Sequence, residues 1–196
     1  TRPNAYGLKG SFEPLIPREL RIEVQERMDA SGNIHRPLDE EGVRRACETL
    51  LEEGVESLVI HFLHAYVNPS HERRAAEVAA EIWPNEYITM GHAILSEYRE
   101  YERGTTAAVN GSVQPILHRY IDRLSEELRD KGYASDLLVM QGNGGTVSAK
   151  IVSDAAVNTV MSGPASGVMA AARTASGAGY LNVITYDMGG TSCDVA

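Results

Sequence analysis

Cysteine is scarce in this chain of 196 residues: there are two, Cys47 and Cys193. They form no CxxC pair and have no disulfide-like spacing, so a reducing, cytoplasmic setting is expected. Basic residues are in deficit, 18 against 27 acidic ones, for a net charge of −9 and a sequence pI near 5.1. That balance argues against a nucleic-acid surface and against an anionic membrane surface, both of which want clustered Lys and Arg. Long apolar runs are missing too. None approaches the roughly 18 residues needed to cross a bilayer, and no signal-peptide pattern opens the chain. What is present is ordinary for a protein with a core: 43% hydrophobic and 23% charged residues, which excludes disorder, collagen-like repeats and a coiled coil. The chain begins at Thr1 rather than Met and stops at Ala196 just past a glycine-rich turn. A piece of a longer polypeptide is therefore expected.

Along the chain, residues 1–18 mix proline and glycine without periodicity and predict an irregular lead-in. Leu20, Ile22 and Val24 then alternate with Arg21, Glu23 and Gln25, the pattern of a half-buried strand. Asp29–Asn33 is turn chemistry, and a return strand is expected near Ile34. Asp39 is the expected N-cap of a helix with Val43, Ala46, Cys47, Leu50 and Leu51 on its apolar stripe and Gly54 at its stop. Ser57–Leu63 predicts a buried strand of a parallel sheet. A helix from Ser70 to Trp83 follows, then a strand over Glu86–Met90. This strand–helix rhythm predicts an α/β architecture.

Beyond His92 the pattern becomes helical over 97–131, with a break expected at Gln114-Pro115. The best domain boundary lies near residues 92–98, giving regions 1–96 and 97–196. Further on, Leu137–Gln141 predicts a short strand, 158–161 a brief one and Val183–Tyr186 a last one. An alanine-rich helix is expected through Arg173.

Three glycine-containing loops carry the chemistry. The sharpest is Asp187-Met188-Gly189-Gly190-Thr191-Ser192-Cys193-Asp194, where an apolar strand delivers an Asp to a diglycine turn. Gly189 and Gly190 would let backbone N–H groups approach phosphate oxygens, Thr191 and Ser192 add hydroxyls, and Asp187 suits Mg²⁺. The alternative is a plain hairpin turn. Neither a Walker A loop nor a Rossmann fingerprint is present. The second loop, Met161-Ser162-Gly163-Pro164-Ala165-Ser166-Gly167, precedes a helix and suits either an anion at the helix N-terminus or close helix packing. The third, Gln141-Gly142-Asn143-Gly144-Gly145, follows a strand, where ligands often sit, or is an ordinary turn.

Other candidates are weaker. His61, His64 and His71 suggest zinc, but no Cys completes a set and H-E-x-x-H is missing, so His61 is expected as a satisfied core histidine. Cys193 is expected as a buried or supporting thiol rather than a nucleophile. The run Glu97-Tyr98-Arg99-Glu100-Tyr101-Glu102-Arg103 has charges at helical spacing and suits a solvated face or the wall of a cleft.

These same segments, together with Thr105–Asn110, His64–Pro69 and His71-Glu72, resemble the hydantoinase A/5-oxoprolinase family. The resemblance covers nearly the whole chain and is most specific over 97–196. It implies the ribonuclease-H-like halves of the actin, hexokinase and Hsp70 ATPases, incomplete in this chain. It also implies ATP with Mg²⁺ (or Mn²⁺), used to activate and open a cyclic amide of the hydantoin or 5-oxoproline type through carbonyl phosphorylation. On that resemblance Asp187, Gly189, Gly190, Thr191 and Asp194 match the second phosphate motif, with Asp187 and Asp194 as catalytic candidates. Ser162, Gly163, Gly167, Asn143, Gly144 and Gly145 match two further cofactor loops. A hydantoinase B-like partner subunit is implied as well.

Departures exist: Gly142 stands where the family usually has Ser, Ser166 where it has Ala or Gly, and Cys193 where it has Thr. The first phosphate motif does not occur before residue 187, and an adenosine-binding segment is expected beyond Ala196. The chain by itself is therefore expected to lack ATPase activity. Rival expectations are a ketone carboxylase subunit, a sugar-kinase-like phosphotransferase, and a non-catalytic nucleotide-binding or docking module.

Overall fold

The computed structural model describes residues 14–190 and 192–196, so most of the irregular lead-in and Thr191 lie outside the described residues. The chain divides into two compact units, Thr1–Ser112 and Val113–Ala196.

In the first unit a hairpin pairs β1 (Arg27–Met28) with β2 (Ile34–Arg36). Its turn is built by Asp29, whose Oδ1 accepts the N–H groups of Ser31 and Asn33, each at 2.8 Å. Those bonds, the one from Asn33 foremost, hold the Asp29 carboxyl below its ordinary range. The strand expected at Leu20–Val24 is not one: Arg18–Leu20 is a single 3-10 turn, and residues 21–26 are extended without a ladder. The alternation survives in part, because Leu20 and Val24 pack on the core while Ile22 is exposed. The pattern marks a side-chain preference, and among the described residues no neighbouring strand meets this segment to complete a ladder.

Helix α1 (Glu40–Glu52) starts where Asp39 caps it, accepting the Gly42 N–H at 2.9 Å. It buries Val43, Ala46, Cys47 and Leu50. The chain then forms a β-α-β unit: β3 (Leu58–Ile60), α2 (Ser70–Ala80) and β4 (Ile88–Met90). The two strands pair in parallel, Leu58 with Ile88 and Ile60 with Met90. Helices α1 and α2 and strand β3 share one core of Val43, Cys47, Leu50, Leu58, Ile60, Ala75, Val78, Ala79 and Trp83. Both strands are shorter than the expected segments, β3 at both ends and β4 at its start. A short helix α3 (Gly91–Ile94) follows β4.

Helix α4 (Glu100–Asp130) begins in the first unit and ends in the second. It runs through Pro115 without the expected break. A proline removes one helical hydrogen bond at a cost of about 3 kcal/mol. Asn110 before it, Gln114 beside it and Ile121 after it are buried.

The second unit pairs β5 (Leu138–Met140) with β6 (Thr146–Ser148). Ile121, Ala149 and Val152 form its buried cluster, with Leu117, Leu137, Val139 and Val147 around it. A four-residue helix α5 (Ala149–Val152) and a 3-10 stretch (Ser153–Thr159) lead to α6 (Ser162–Gly177). The brief strand expected over 158–161 is absent, because this stretch is 3-10 helix followed by Met161 in the left-handed region, φ 63°. A last hairpin pairs β7 (Tyr186–Met188) with β8 (Cys193–Val195). Ser162–Gly167, expected as a lead-in, forms the first turns of α6 itself.

Candidate functional site

The β7–β8 register places Asp187 directly opposite Asp194. Residues paired this way in an antiparallel ladder point to the same face. Both line a cavity of about 520 Å³ together with Pro164, Gly167 and Ala171 of α6. The Asp187 carboxylate comes within 3.6 Å of where a side chain at Gly167 would begin. That separation is an ordinary van der Waals contact, so the hairpin carboxylate and the helix lie side by side. Two of the three expected segments thus meet in one cavity. The hairpin reading of the diglycine turn also holds, since the Gly189 N–H donates to the Ser192 carbonyl at 3.0 Å. Thr191 lies outside the described residues, and Ser192 is exposed.

Ser162 and Gly163 occupy the first two positions of α6, which has no side-chain cap. Pro164 brings no N–H of its own, and the Ala165 N–H already donates to the Met161 carbonyl at 3.2 Å. The loop at Asn143, Gly144 and Gly145 is a β-hairpin turn between β5 and β6, outside that cavity wall. Asn143 Oδ1 accepts the Gly145 N–H at 2.8 Å, and the Gly144 N–H donates to the Gln141 carbonyl. Gly144 has φ +83°, a conformation that glycine takes without strain. These donors are engaged within the chain, and the loop packs on Met169 of α6.

Of the two roles expected for Cys193, the buried one is not met, since its side chain is exposed. It raises the Tyr186 hydroxyl above its ordinary pKa through a hydrogen bond.

Asp187 and Asp194 are the acidic pair of this cavity, and no basic side chain pairs with either among the described residues. Two carboxylates are a donor set that suits Mg²⁺, which keeps several waters and completes its shell with phosphate oxygens. No group of three or more His, Cys, Asp or Glu is arranged to hold a metal by itself among the described residues.

The first unit holds a polar cluster that sequence reasoning only touched. Glu72 on α2 is fully buried. Its Oε1 accepts the Phe62 N–H at 2.9 Å, and its Oε2 takes the His92 N–H at 2.8 Å and His92 Nδ1 at 2.7 Å. One carboxylate thereby ties α2 to the carboxyl ends of both parallel strands. Arg103 of α4 is equally buried; it donates to the carbonyls of Glu97 at 2.5 Å and Phe62 at 3.0 Å, and lies over the Tyr66 ring. On α2, His71 Nδ1 meets Glu26 Oε2 at 2.8 Å.

His61, expected to be satisfied in the core, is only partly buried, and its Nδ1 has no hydrogen-bond partner. Burial, then the Arg103 charge, push its pKa down. The signals for this cluster were the segments His64–Glu72 and Glu97–Arg103. What sequence alone could not supply was that Glu72 and Arg103 point inward.

The model of the hydantoinase/oxoprolinase family matches residues 103–196, and that of the family's N-terminal region matches residues 1–83. The chain is 39% identical to the acetophenone carboxylase gamma subunit of Aromatoleum aromaticum over 93% of its own length and 25% of that protein's. It aligns with the crystal structure of ATP-dependent caprolactamase from Pseudomonas jessenii at a TM-score of 0.85 and 33% identity, over all of this chain and 29% of that one. Nucleotide-free acetone carboxylase matches at a TM-score of 0.82 and 33% identity, over 94% and 26%. The chain thus spans about a quarter of the length of the relatives it matches. With both models matched and the architecture shared, the chain carries part of the actin-like ATPase fold of this group and belongs to the hydantoinase/oxoprolinase family.

Proposed function

We propose that the polypeptide to which these residues belong uses ATP to activate and open a cyclic amide, with the second unit addressing the phosphates. The observation that carries this is the cavity where Asp187 and Asp194 face the first turns of α6. A carboxylate pair beside the N-terminal end of a helix can hold Mg²⁺ on one side of a polyphosphate while backbone donors meet the other. Bound Mg²⁺ supplies charge neutralisation during phosphoryl transfer. Asp187 and Asp194 would hold it, while Gly189 and Gly190 keep the turn free of side chains. Transfer to the amide oxygen would activate that carbon to addition of water; collapse of the adduct with departure of the ring nitrogen, which takes up a proton, would open the ring as an acyl phosphate, and a second water would cleave that to carboxylate and phosphate.

The relatives support the choice of substrate. One is named a caprolactamase and the family is named for hydantoinase and oxoprolinase. They also favour a partner chain, since related proteins are named as subunits; we assign the second subunit to the hydantoinase B type. No helix among the described residues is long and apolar enough to cross a membrane, and a cytoplasmic setting fits the exposed free Cys193.

The test is phosphate release by the full polypeptide with its partner, given ATP, Mg²⁺ and hydantoin, 5-oxoproline or a lactam in turn. Release coupled to ring opening is expected, and Asp187→Asn should abolish it. A stable phosphorylated product would instead identify a kinase. The 39% identity to a carboxylase subunit favours a second reading, ATP-dependent activation of a ketone. A strict requirement for bicarbonate would establish it.

A further inference from the structure

The β5–β6 turn at Gln141–Gly145 closes on itself, yet it is also held against the segment that leads into α6. The Gly142 N–H donates to the Asn158 carbonyl at 2.7 Å. A Cβ at Gly142 would run into the Val160 carbonyl oxygen, and a backbone atom cannot swing aside as the end of a side chain can. Any side chain there, the Ser usual in the family included, would push that carbonyl away, so the close fit goes with glycine. On its other side the turn meets α6 itself, where a Cβ at Gly144 would lie 3.2 Å from Met169 Cγ. Val139 and Val147, one on each strand, seat the hairpin on the buried cluster of the second unit.

The residue after Val160 is strained. Met161 has φ 63° and ψ 16°, the left-handed region, which costs a bulky residue roughly 1–3 kcal/mol. Its side chain is exposed, so burial of that side chain does not offset the strain. Such a conformation persists only where the neighbouring structure dictates it. Before Met161, the Val160 N–H donates to the Val157 carbonyl at 3.1 Å and the Thr159 hydroxyl to the Ala156 carbonyl at 2.7 Å, over the fully buried Ala156. After it, the Ala165 N–H returns to the Met161 carbonyl. The Gly142 contact thus falls on the residue just before the strained one. A left-handed residue redirects the chain, so the angle at which α6 leaves this joint is set at Met161. The same helix carries Pro164, Gly167 and Ala171 on the wall of the cavity that Asp187 and Asp194 line.

We propose that the β5–β6 turn is a positioning element of the phosphate site: Gly142, acting through Val160 and the strained Met161, sets the distance of α6 from the Asp187–Asp194 pair. The turn itself contacts no ligand atom, which separates it from the cofactor loop that its composition suggests. The role of the cavity rests on the phosphate reading given above; the clamp rests on the contacts of Gly142 and the conformation of Met161.

The experiment measures the affinity of the full polypeptide for a non-hydrolysable ATP analogue with Mg²⁺ by calorimetry, with stability followed by chemical denaturation. Gly142→Ala should weaken binding by roughly twofold to thirtyfold, the range for residues that act on a site without touching its ligand. Met161→Gly alone should change it by less than about twofold, since glycine takes this conformation without strain. Met161→Gly added to Gly142→Ala should restore most of the affinity, because the joint can then absorb the displaced Val160 carbonyl. Gly132→Ala is the control: that glycine has φ +86° and open space around it, so the variant loses stability without touching the joint and should bind normally. If Gly142→Ala fails to fold, Gly144→Ala presses the same turn on the flexible Met169 side chain and should weaken binding where Gly132→Ala does not. Binding unchanged by the turn variant, weakening matched by Gly132→Ala, or no recovery in the double variant would overturn the positioning role alone. An affinity that Asp187→Asn leaves unchanged would overturn the phosphate reading of the cavity, and the proposal with it.

Discussion

The two units hold their key carboxylates in opposite ways. Glu72 in the first has no exposure and accepts from three protein donors. Asp187 in the second is exposed and Asp194 only half-buried, with no basic partner for either among the described residues. A buried carboxylate is tolerable only when its lone pairs are satisfied, and it then fixes the elements it touches. A wet carboxylate on a cavity wall contributes little to stability and remains free for a cation. The contrast separates architecture from chemistry within one chain.

The largest expected effect breaks the architectural side. Glu72→Ala would leave the Phe62 and His92 N–H groups buried without acceptors, and should cost about 3 kcal/mol or more by chemical denaturation. Glu72→Gln keeps the shape and one acceptor and should cost visibly less. A loss below about 1 kcal/mol for Glu72→Ala would mean that the cluster is not a structural tie.

Asp187→Asn addresses the other side. It should change stability by no more than about 0.5 kcal/mol, while ATP-coupled turnover of the full polypeptide falls at least about 100-fold. A variant that loses both in proportion would remove the distinction between the two units. Asp39→Ala is smaller and purely local: losing the α1 cap should cost about 1 kcal/mol, read as a lowered melting temperature.

The subtlest effect is a pH dependence. The folded-state pKa of His61 is depressed, so the unfolded chain takes up its proton first as pH falls. The stability His61 contributes is complete above its unfolded value, about 6.5. It declines as pH drops through that value toward the folded one. His61→Gln should flatten this part of the stability–pH curve; an unchanged slope would show that His61 is not the group responsible.

Much of this organisation was legible in the residues. The Asp39 cap, the α1 stripe and the Gly54 stop follow from rules acting within one helix, and the β-α-β rhythm predicted the parallel pair. Residues Leu20–Val24 misled because alternation reports which side chains seek a core and says nothing about whether a ladder partner is at hand. Pro115 misled as well: it lies inside a helix that continues past it. At the candidate site, Asp187 and Asp194 were legible from the diglycine motif, and register supplied their shared face. Asn143–Gly145 looked alike in composition, yet its N–H groups close its own turn, a distinction carried by geometry alone. Glu72 and Arg103 were read as parts of charged runs, since nothing local tells an inward carboxylate from a solvated one.

The most direct test of the central claim is a titration of this chain with Mg²⁺ and a non-hydrolysable ATP analogue, followed at the backbone amides. The account predicts that the amides of Ser162, Gly163, Gly167 and Gly190 shift together, and that Asp187→Asn suppresses the shifts. Shifts confined to the Gly142–Gly145 turn, or unchanged by Asp187→Asn, would contradict it.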